Sequence, residues 1–147
     1  MNLTYLVREP KIKQEKNPLL LLLHGYGSNE EDLFSFARAL PSELTIISIR
    51  GPISVQGMGY AWYDISFDSF GNKTYNQSQA IDSRDKIIEC IDLCVETYNI
   101  DNKNISLMGF SQQTEVEIKN VISKSSEQEL IGENSRLLQE NFFHCLS

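Results

Sequence analysis

The sequence predicts one α/β domain over residues 1–147, with a mostly parallel sheet flanked by helices and a polar, helical C-terminal tail. Short apolar runs typical of buried strands alternate with segments of helical period, which is the order expected of a parallel sheet. The chain of 147 residues is long enough to bury a sizeable core. Its hydrophobic fraction of 41% and charged fraction of 22% are ordinary for a globular protein.

Four apolar segments predict the strands of the sheet. Leu3 to Val7 is predicted as the first strand, followed by a polar turn over residues 11–17. Pro18 to Leu23 is apolar on both faces, which is typical of a central parallel strand. Leu44 to Ile49 and Ile105 to Met108 have the same character, so we expect both to pair within the same buried sheet.

Two helices are predicted between these strands. The first begins at Ser28 or Asn29, because either side chain can cap it, and the acidic residues 30–32 suit its positive end. Before Pro41 ends this helix, it is expected to bury Leu33, Phe36, Ala37 and Leu40. The second helix is predicted from about Ser78 to Tyr98. Its expected buried stripe consists of Ile81, Ile88, Ile91, Val95 and Tyr98.

The remaining segments show neither a continuous apolar run nor a clear apolar face of a helix. Ile53 to Lys73 is rich in glycine and aromatic residues, and we interpret it as a long functional loop. Asn99 to Asn104 is predicted as a short loop. After Gln112 the sequence becomes strongly polar, and two polar helices are predicted, over Glu115 to Ser123 and Glu127 to Gln139.

Charge and composition restrict the partners and the compartment. A net charge of -7 and a pI near 4.8 argue against nucleic acid and anionic membranes as partners. The N-terminus lacks a secretory signal, and the longest apolar run, Leu19 to Leu23, is too short to span a bilayer. Cys90, Cys94 and Cys145 do not form a disulfide framework, which indicates a reducing compartment. We therefore expect a cytoplasmic protein without a metal or a cofactor.

The segment after the last predicted strand has the pattern of a nucleophile elbow. The strand leads directly into Gly109-Phe110-Ser111-Gln112, where a sharp strand-to-helix turn would expose the serine hydroxyl. A glycine two residues before the serine keeps side chains out of that turn. The corresponding position two residues after the serine is occupied by Gln113 instead of glycine.

Residues 18–112 resemble the phospholipase/carboxylesterase family of α/β-hydrolases, which includes bacterial carboxylesterases and acyl-protein thioesterases. The segments that carry the resemblance are Leu22 to Leu33 (LLHGYGSNEEDL), Arg50-Gly51-Pro52 with Ala61-Trp62-Tyr63-Asp64, and Leu107 to Gln112. The resemblance implies an incomplete α/β-hydrolase fold. Residues 1–112 are then the family-like part and residues 113–147 a divergent tail.

The resemblance also implies a role for several residues. Ser111 would attack the carbonyl of an ester or a thioester and form an acyl-enzyme. The backbone N–H groups of Tyr26 and Gln112 would bind the oxyanion. Trp62 would contact the acyl chain in the substrate pocket. His24 would shape the turn Gly25-Tyr26-Gly27, here called the oxyanion turn, without transferring protons.

The catalytic partners of the serine are less well defined. His144 is the only histidine after Ser111 and is the candidate base; a histidine in an apolar docking segment is the alternative. No aspartate follows Asp101, so the triad acid would be a glutamate. Two other interpretations stay open: an inactive hydrolase without the triad acid and histidine, and a frameshift or deletion after the Gln112 codon. A sheet that ends at the nucleophile strand is also expected to favour self-association.

Three other patterns have simpler interpretations. Cys90 and Cys94 lie one helical turn apart, but no nearby ligands accompany them, so we expect buried apolar side chains. The glycine-rich turn carries Glu30 where a dinucleotide motif needs its third glycine, which argues against nucleotide binding. Asp64 and Asp68 are expected to lie in a solvated loop.

Overall fold

The computed structural model describes residues 3–109 of the chain. In this part the strands are β1 (Tyr5–Arg8), β2 (Asn17–Leu23), β3 (Thr45–Ile49), β4 (Ile53–Val55), β5 (Gly59–Ala61), β6 (Ile65–Phe67), β7 (Lys73–Tyr75) and β8 (Ile100–Gly109). The helices are α1 (Glu30–Phe34), a 3₁₀ helix (Ser35–Ala39) and α2 (Gln77–Thr97). The predicted polar helices of the tail lie outside the described residues.

The main sheet has the strand order β1-β3-β2-β8. Strand β2 is parallel to β3 and to β8, while β1 is antiparallel to β3. Leu23 lies opposite Ile49 on one side and opposite Gly109 on the other, so the three parallel strands end at the same edge. The expected mostly parallel sheet is confirmed. Within residues 3–109, β8 is an outer strand of this sheet, and self-association through it stays a prediction.

The side chains of β2 alternate between two apolar layers, one on each face of the sheet. Leu19, Leu21 and Leu23 pack in the larger layer, which contains the buried apolar residues of α2. Leu22 packs in the smaller layer, against Leu33 of α1. The prediction of helices on both faces is therefore confirmed, and full burial of each leucine contributes about 2 kcal/mol.

The first helix begins as predicted but is shorter. Asn29 is its N-cap, and the Asn29 side chain accepts a hydrogen bond from the N–H of Glu31 at 2.8 Å. The α-helix changes to a 3₁₀ helix at Ser35. The predicted burial of Phe36 is wrong, since this side chain is 53% exposed. Neighbouring residues of a 3₁₀ helix lie about 120° apart around its axis, so Phe36 faces away from the core when Ala37 is buried.

A side chain from β1 holds the segment where this helix ends. Arg8 donates hydrogen bonds to four backbone carbonyls, those of Ala37, Leu40, Pro41 and Leu44. These carbonyls lie at or beyond the last helical turn, where backbone donors are few; that of Ala37 also accepts from the N–H of Leu40. The planar guanidinium suits several acceptors at once, so one residue of β1 adds to the backbone bond from Leu40 that ends the helix.

The second helix occupies the predicted range, but its buried face is rotated. The predicted burial of Ile81 is wrong, because 49% of this residue is exposed. The buried residues of α2 are Ser83, Ile87, Cys90, Ile91 and Cys94. The Ser83 hydroxyl donates to the carbonyl oxygen of Trp62 at 2.5 Å, and this contact places Ser83 on the buried face in place of Ile81.

Two segments predicted as loops contain strands. Residues 53–73 form hairpin β4–β5 and most of hairpin β6–β7, because backbone pairing occurs there without an apolar alternation. The segment 99–104 belongs largely to β8, which begins at Ile100. Strand β8 bulges after Ile100, and its regular pairing with β2 resumes at Ile105. Among residues 3–109, no helix combines the length and the apolar character that a membrane crossing requires.

Candidate active site

The candidate site lies at the edge of the sheet where the parallel strands end. Leu23 of β2 lies opposite Gly109 of β8, so the turn that follows β2 begins beside the end of β8. This edge is where open α/β sheets place their ligands. Ser111, Gln112 and His144 lie outside the described residues, so their predicted roles stay predictions. Tyr26 is the predicted oxyanion donor that the structure describes.

Tyr26 lies in a tight turn directly after β2. The N–H of Ser28 donates to the carbonyl of Gly25 at 3.2 Å and closes the turn. Gly27 has a φ of 78°, in the left-handed region that favours glycine. Within residues 3–109 the N–H of Tyr26 has no backbone acceptor, and an oxyanion donor requires such a free N–H.

His24 is fully buried at the start of the turn, and both of its ring nitrogens are hydrogen-bonded. Nε2 accepts from the backbone N–H of Gly51 at 2.9 Å, while Nδ1 lies 2.8 Å from the carbonyl of Gly25. These contacts are satisfied by a neutral ring that carries its proton on Nδ1. Burial lowers the pKa of His24 below its ordinary value. These contacts hold His24 at the start of the turn, and the expectation that it transfers no proton stays a prediction.

Trp62 lies beneath the same turn and is 4% exposed. Its indole Nε1 donates to the carbonyl oxygen of His24 at 2.8 Å. The rings of Trp62 and His24 are tilted by 31°, with centroids 5.3 Å apart. The predicted contact of Trp62 with an acyl chain stays a prediction, and the structure adds a role for this residue in supporting the turn.

Hairpin β4–β5 supports the other end of the turn. The carbonyl of Tyr60 accepts from the N–H of Gly27 at 2.8 Å, and the N–H of Tyr60 donates to the carbonyl of Ser28 at 2.7 Å. Gly59 permits this approach, because a Cβ there would lie 2.7 Å from the carbonyl oxygen of Ser28. Sequence reasoning missed this hairpin, although glycines at 57 and 59 were a signal for a turn.

An ion pair joins the helix after the turn to the end of β3. Arg50 binds both carboxylate oxygens of Glu30, at 2.8 Å and 2.5 Å, and the guanidinium lies 4.5 Å from the ring centroid of Tyr60. The hydrogen bond from Arg50 lowers the pKa of the buried Glu30 carboxyl. The Ser48 hydroxyl also donates to the Glu30 carbonyl at 2.6 Å. The sequence analysis did not predict that Glu30 pairs with Arg50.

Asp64 and Asp68 have separate structural contacts. The N–H of Asp64 donates to the side-chain carbonyl of Gln79, whose amide group donates back to the carboxylate of Asp64. The carboxylate of Asp68 accepts from the N–H groups of Phe70 and Asn72, which closes the tip of hairpin β6–β7. Both aspartates are exposed, as expected of a solvated loop.

Cys90 and Cys94 are both free and buried on the sheet-facing side of α2. A hydrogen bond with Cys94, together with burial, raises the pKa of the Cys90 thiol. Within residues 3–109 no group of three metal-ligating side chains is present. The expected buried, apolar role of the pair is confirmed.

Comparisons with known proteins agree with this architecture. A family model described as phospholipase/carboxylesterase matches residues 6–140. The chain is 25% identical over 99 residues to the putative hydrolase MhqD of Bacillus subtilis (strain 168), which covers 67% of the chain and 47% of that protein. A crystal structure of the Bacillus cereus carboxylesterase is 28% identical, with a TM-score of 0.57.

The structural matches extend over much of this chain but over only about half of each relative. The match to the Bacillus cereus carboxylesterase covers 74% of the chain and 48% of that protein. Esterase PE8 is 21% identical, with a TM-score of 0.62, over 76% of the chain and 54% of that protein. The match to esterase PE8 supports only the assignment of the fold. Together they show an incomplete α/β-hydrolase fold.

Proposed function

Because this chain belongs to the phospholipase/carboxylesterase family, we propose that it is a serine hydrolase that cleaves carboxylic esters or thioesters. The observation that supports this most is the turn at the end of β2, which leaves the N–H of Tyr26 without a backbone acceptor among the described residues. Strand β8 ends beside this turn and leads in sequence to Gly109-Phe110-Ser111. The substrate is a small-molecule ester or an acyl ester or thioester.

In the proposed reaction the Oγ of Ser111 attacks the carbonyl carbon of the substrate. The hydroxyl proton passes to the general base, for which His144 is the candidate, and the carbonyl oxygen becomes an oxyanion. The N–H groups of Tyr26 and Gln112 bind that oxyanion. When the tetrahedral intermediate collapses, the alcohol or thiol leaves with the proton and Ser111 is acylated. Water then attacks the acyl-enzyme, which releases the acid and restores the serine.

Tyr26 suits the role of donor because its position is fixed before any substrate arrives. A preorganised donor requires no reorganisation in the transition state, and loss of one such donor typically costs about 10²- to 10³-fold in rate. His24, which precedes the turn, is buried, and its lowered pKa favours the neutral ring, so His24 itself brings no positive charge to the turn. The turn therefore offers a neutral N–H donor at the edge where the substrate is expected.

The test is covalent labelling of the intact chain with a fluorophosphonate, combined with hydrolysis of p-nitrophenyl esters. Wild type should be labelled and should release p-nitrophenol, while Ser111→Ala should do neither. Ser106→Ala removes a different hydroxyl, on β8, and should behave as wild type. Labelling of Ser111→Ala at the wild-type rate would refute the assignment of the nucleophile. Absence of labelling in folded wild type would instead support an inactive hydrolase.

A further inference from the structure

One short segment, Tyr60 to Trp62, holds both ends of the oxyanion turn. Before the turn, the indole N–H of Trp62 donates to the carbonyl of His24 at 2.8 Å. After the turn, the backbone of Tyr60 exchanges two hydrogen bonds with Gly27 and Ser28, at 2.8 Å and 2.7 Å. Tyr26 lies between these two attachments, so the segment determines where its N–H points.

Trp62 is itself fixed by several contacts. It is 4% exposed, and the Ser83 hydroxyl of α2 donates to its carbonyl oxygen at 2.5 Å. A buried indole N–H needs an acceptor, and a buried carbonyl needs a donor, so the bond from Trp62 to His24 satisfies both groups. The tilted stacking on the imidazole, with centroids 5.3 Å apart, limits rotation of the indole.

His24 links this segment to the end of β3. Its Nε2 accepts from the N–H of Gly51, and Gly51 packs so closely on Ala61 that a Cβ would lie 2.6 Å from the Ala61 carbonyl oxygen. The ring of His24 is therefore held through Gly51, while its carbonyl is held through Trp62. The peptide group that leads from His24 into the turn has little freedom to rotate.

We propose that Trp62 is a positioning residue for the oxyanion turn: its indole N–H fixes the His24 carbonyl and thereby directs the N–H of Tyr26. This role differs from an acyl contact, because it acts through the backbone of His24. The proposal rests on the proposed hydrolase function for its kinetic consequences. Its structural consequence, a rigid turn, is measurable without any substrate.

The kinetic test uses Trp62→Phe, which keeps an aromatic ring and removes the indole N–H. A small displacement of a catalytic group lowers a rate by about 10- to 100-fold, so kcat should fall by that factor with KM changed less than about twofold. The factor should be the same for the acetyl and octanoyl esters of p-nitrophenol. A higher KM, or a loss that grows with acyl length, would establish an acyl contact and overturn the proposal.

Tyr98→Phe is the matched control. It also removes a single hydrogen bond next to the larger core layer, that between the hydroxyls of Tyr98 and Tyr5 at 3.3 Å. Tyr98 caps the C-terminus of α2, two residues before Ile100. Ile100 pairs with Asn17, the first residue of β2, whereas the oxyanion turn follows the last residue of β2, so Tyr98 lies at the other end of the sheet. Because the Tyr98 hydroxyl is only half-buried, this variant should lose less thermal stability than Trp62→Phe, while kcat stays at the wild-type value. An equal fall of kcat in both variants would show a general loss of structure.

Hydrogen exchange measured by NMR tests the rigid turn independently of activity. Trp62 is the single tryptophan of the chain, so its indole proton gives one identifiable resonance. That proton should exchange at least tenfold more slowly than in free indole, and Trp62→Phe should accelerate exchange of the Gly27 amide at least tenfold. Exchange of the wild-type indole proton at the free rate would overturn the proposal, even if Trp62→Phe fails to fold. Slow exchange in a chain that cleaves no ester would refute the proposed function and leave the rigid turn established.

Discussion

Replacing Gly51 with alanine tests the packing that supports the oxyanion turn. Gly51 is buried, and its N–H donates to Nε2 of His24. A Cβ added to Gly51 would lie 2.6 Å from the carbonyl oxygen and 2.7 Å from the carbonyl carbon of Ala61. Both contacts are with backbone atoms, so rotation of a side chain does not relieve them. Either β5 or the segment after β3 must move.

The size of that movement gives the expected loss of stability. Ordinary van der Waals contact begins at 3.4 Å, so the two segments must separate by about 0.8 Å. Overpacking of a close-packed core costs about 1–3 kcal/mol, and we expect the upper end because the clash is with backbone and also displaces His24. A loss of about 3 kcal/mol lowers Tm by roughly 6–12 °C for a chain of this size.

Urea unfolding of wild type, Gly51→Ala and Gly57→Ala measures these free energies. Gly57 has a φ of 75° and an added Cβ there would meet nothing within 4 Å, so its alanine variant isolates the backbone strain, about 1–2 kcal/mol. Gly51 does not have a positive φ, so its variant isolates the steric clash. A Gly51→Ala protein within about 0.5 kcal/mol of wild type would refute the close packing of β5 against the end of β3.

Three further results are expected from the contacts around the turn. Glu30→Gln should lower the free energy of unfolding by about 1–2 kcal/mol, which is less than for a fully buried ion pair because Arg50 is partly exposed. In wild type the ion pair stabilises the fold above pH 4.5, and this stabilisation is lost as the pH falls through the lowered pKa of Glu30. An unchanged unfolding curve at pH 7 would contradict the ion pair. NMR titration of His24 should give a midpoint below 6.5, since burial lowers its pKa. The free energy of unfolding should then fall as the pH drops below 6.5, because only the unfolded chain binds the proton there. A midpoint above 6.5 would contradict the buried neutral ring. Cys90 should react with iodoacetamide in the folded protein at least tenfold more slowly than in urea, because it is buried and its pKa is raised, and equal rates would show an accessible thiol.

Much of the fold could be predicted from continuous apolar runs, which are stable only when both faces of the strand are buried. The leucines of β2 and the isoleucines of β3 are buried at almost every position, so their sequence predicts central parallel strands. Periodicity was less informative for α2, whose buried face carries Ser83 and two cysteines in place of Ile81. The hydroxyl of Ser83 has a partner that lies 21 residues away in sequence, and a local pattern does not contain that contact.

The site was predictable where a turn depends on local chemistry. The glycines around Tyr26 indicated a tight turn, and the structure has one with Gly27 in the left-handed region. The supports of that turn were not predictable, because they come from residues distant in sequence. Tyr60 contributes backbone atoms, which carry no sequence signature, and Trp62 contributes a polar atom from a ring that we interpreted as apolar.

The most direct test of the proposed hydrolase function is the position of a covalent adduct. The intact chain is treated with a fluorophosphonate, digested, and analysed by tandem mass spectrometry. The account predicts one adduct, on the hydroxyl of Ser111, that is absent from Ser111→Ala and formed at least tenfold more slowly in Trp62→Phe. An unmodified Ser111 in folded protein, or an adduct on another residue, would contradict it.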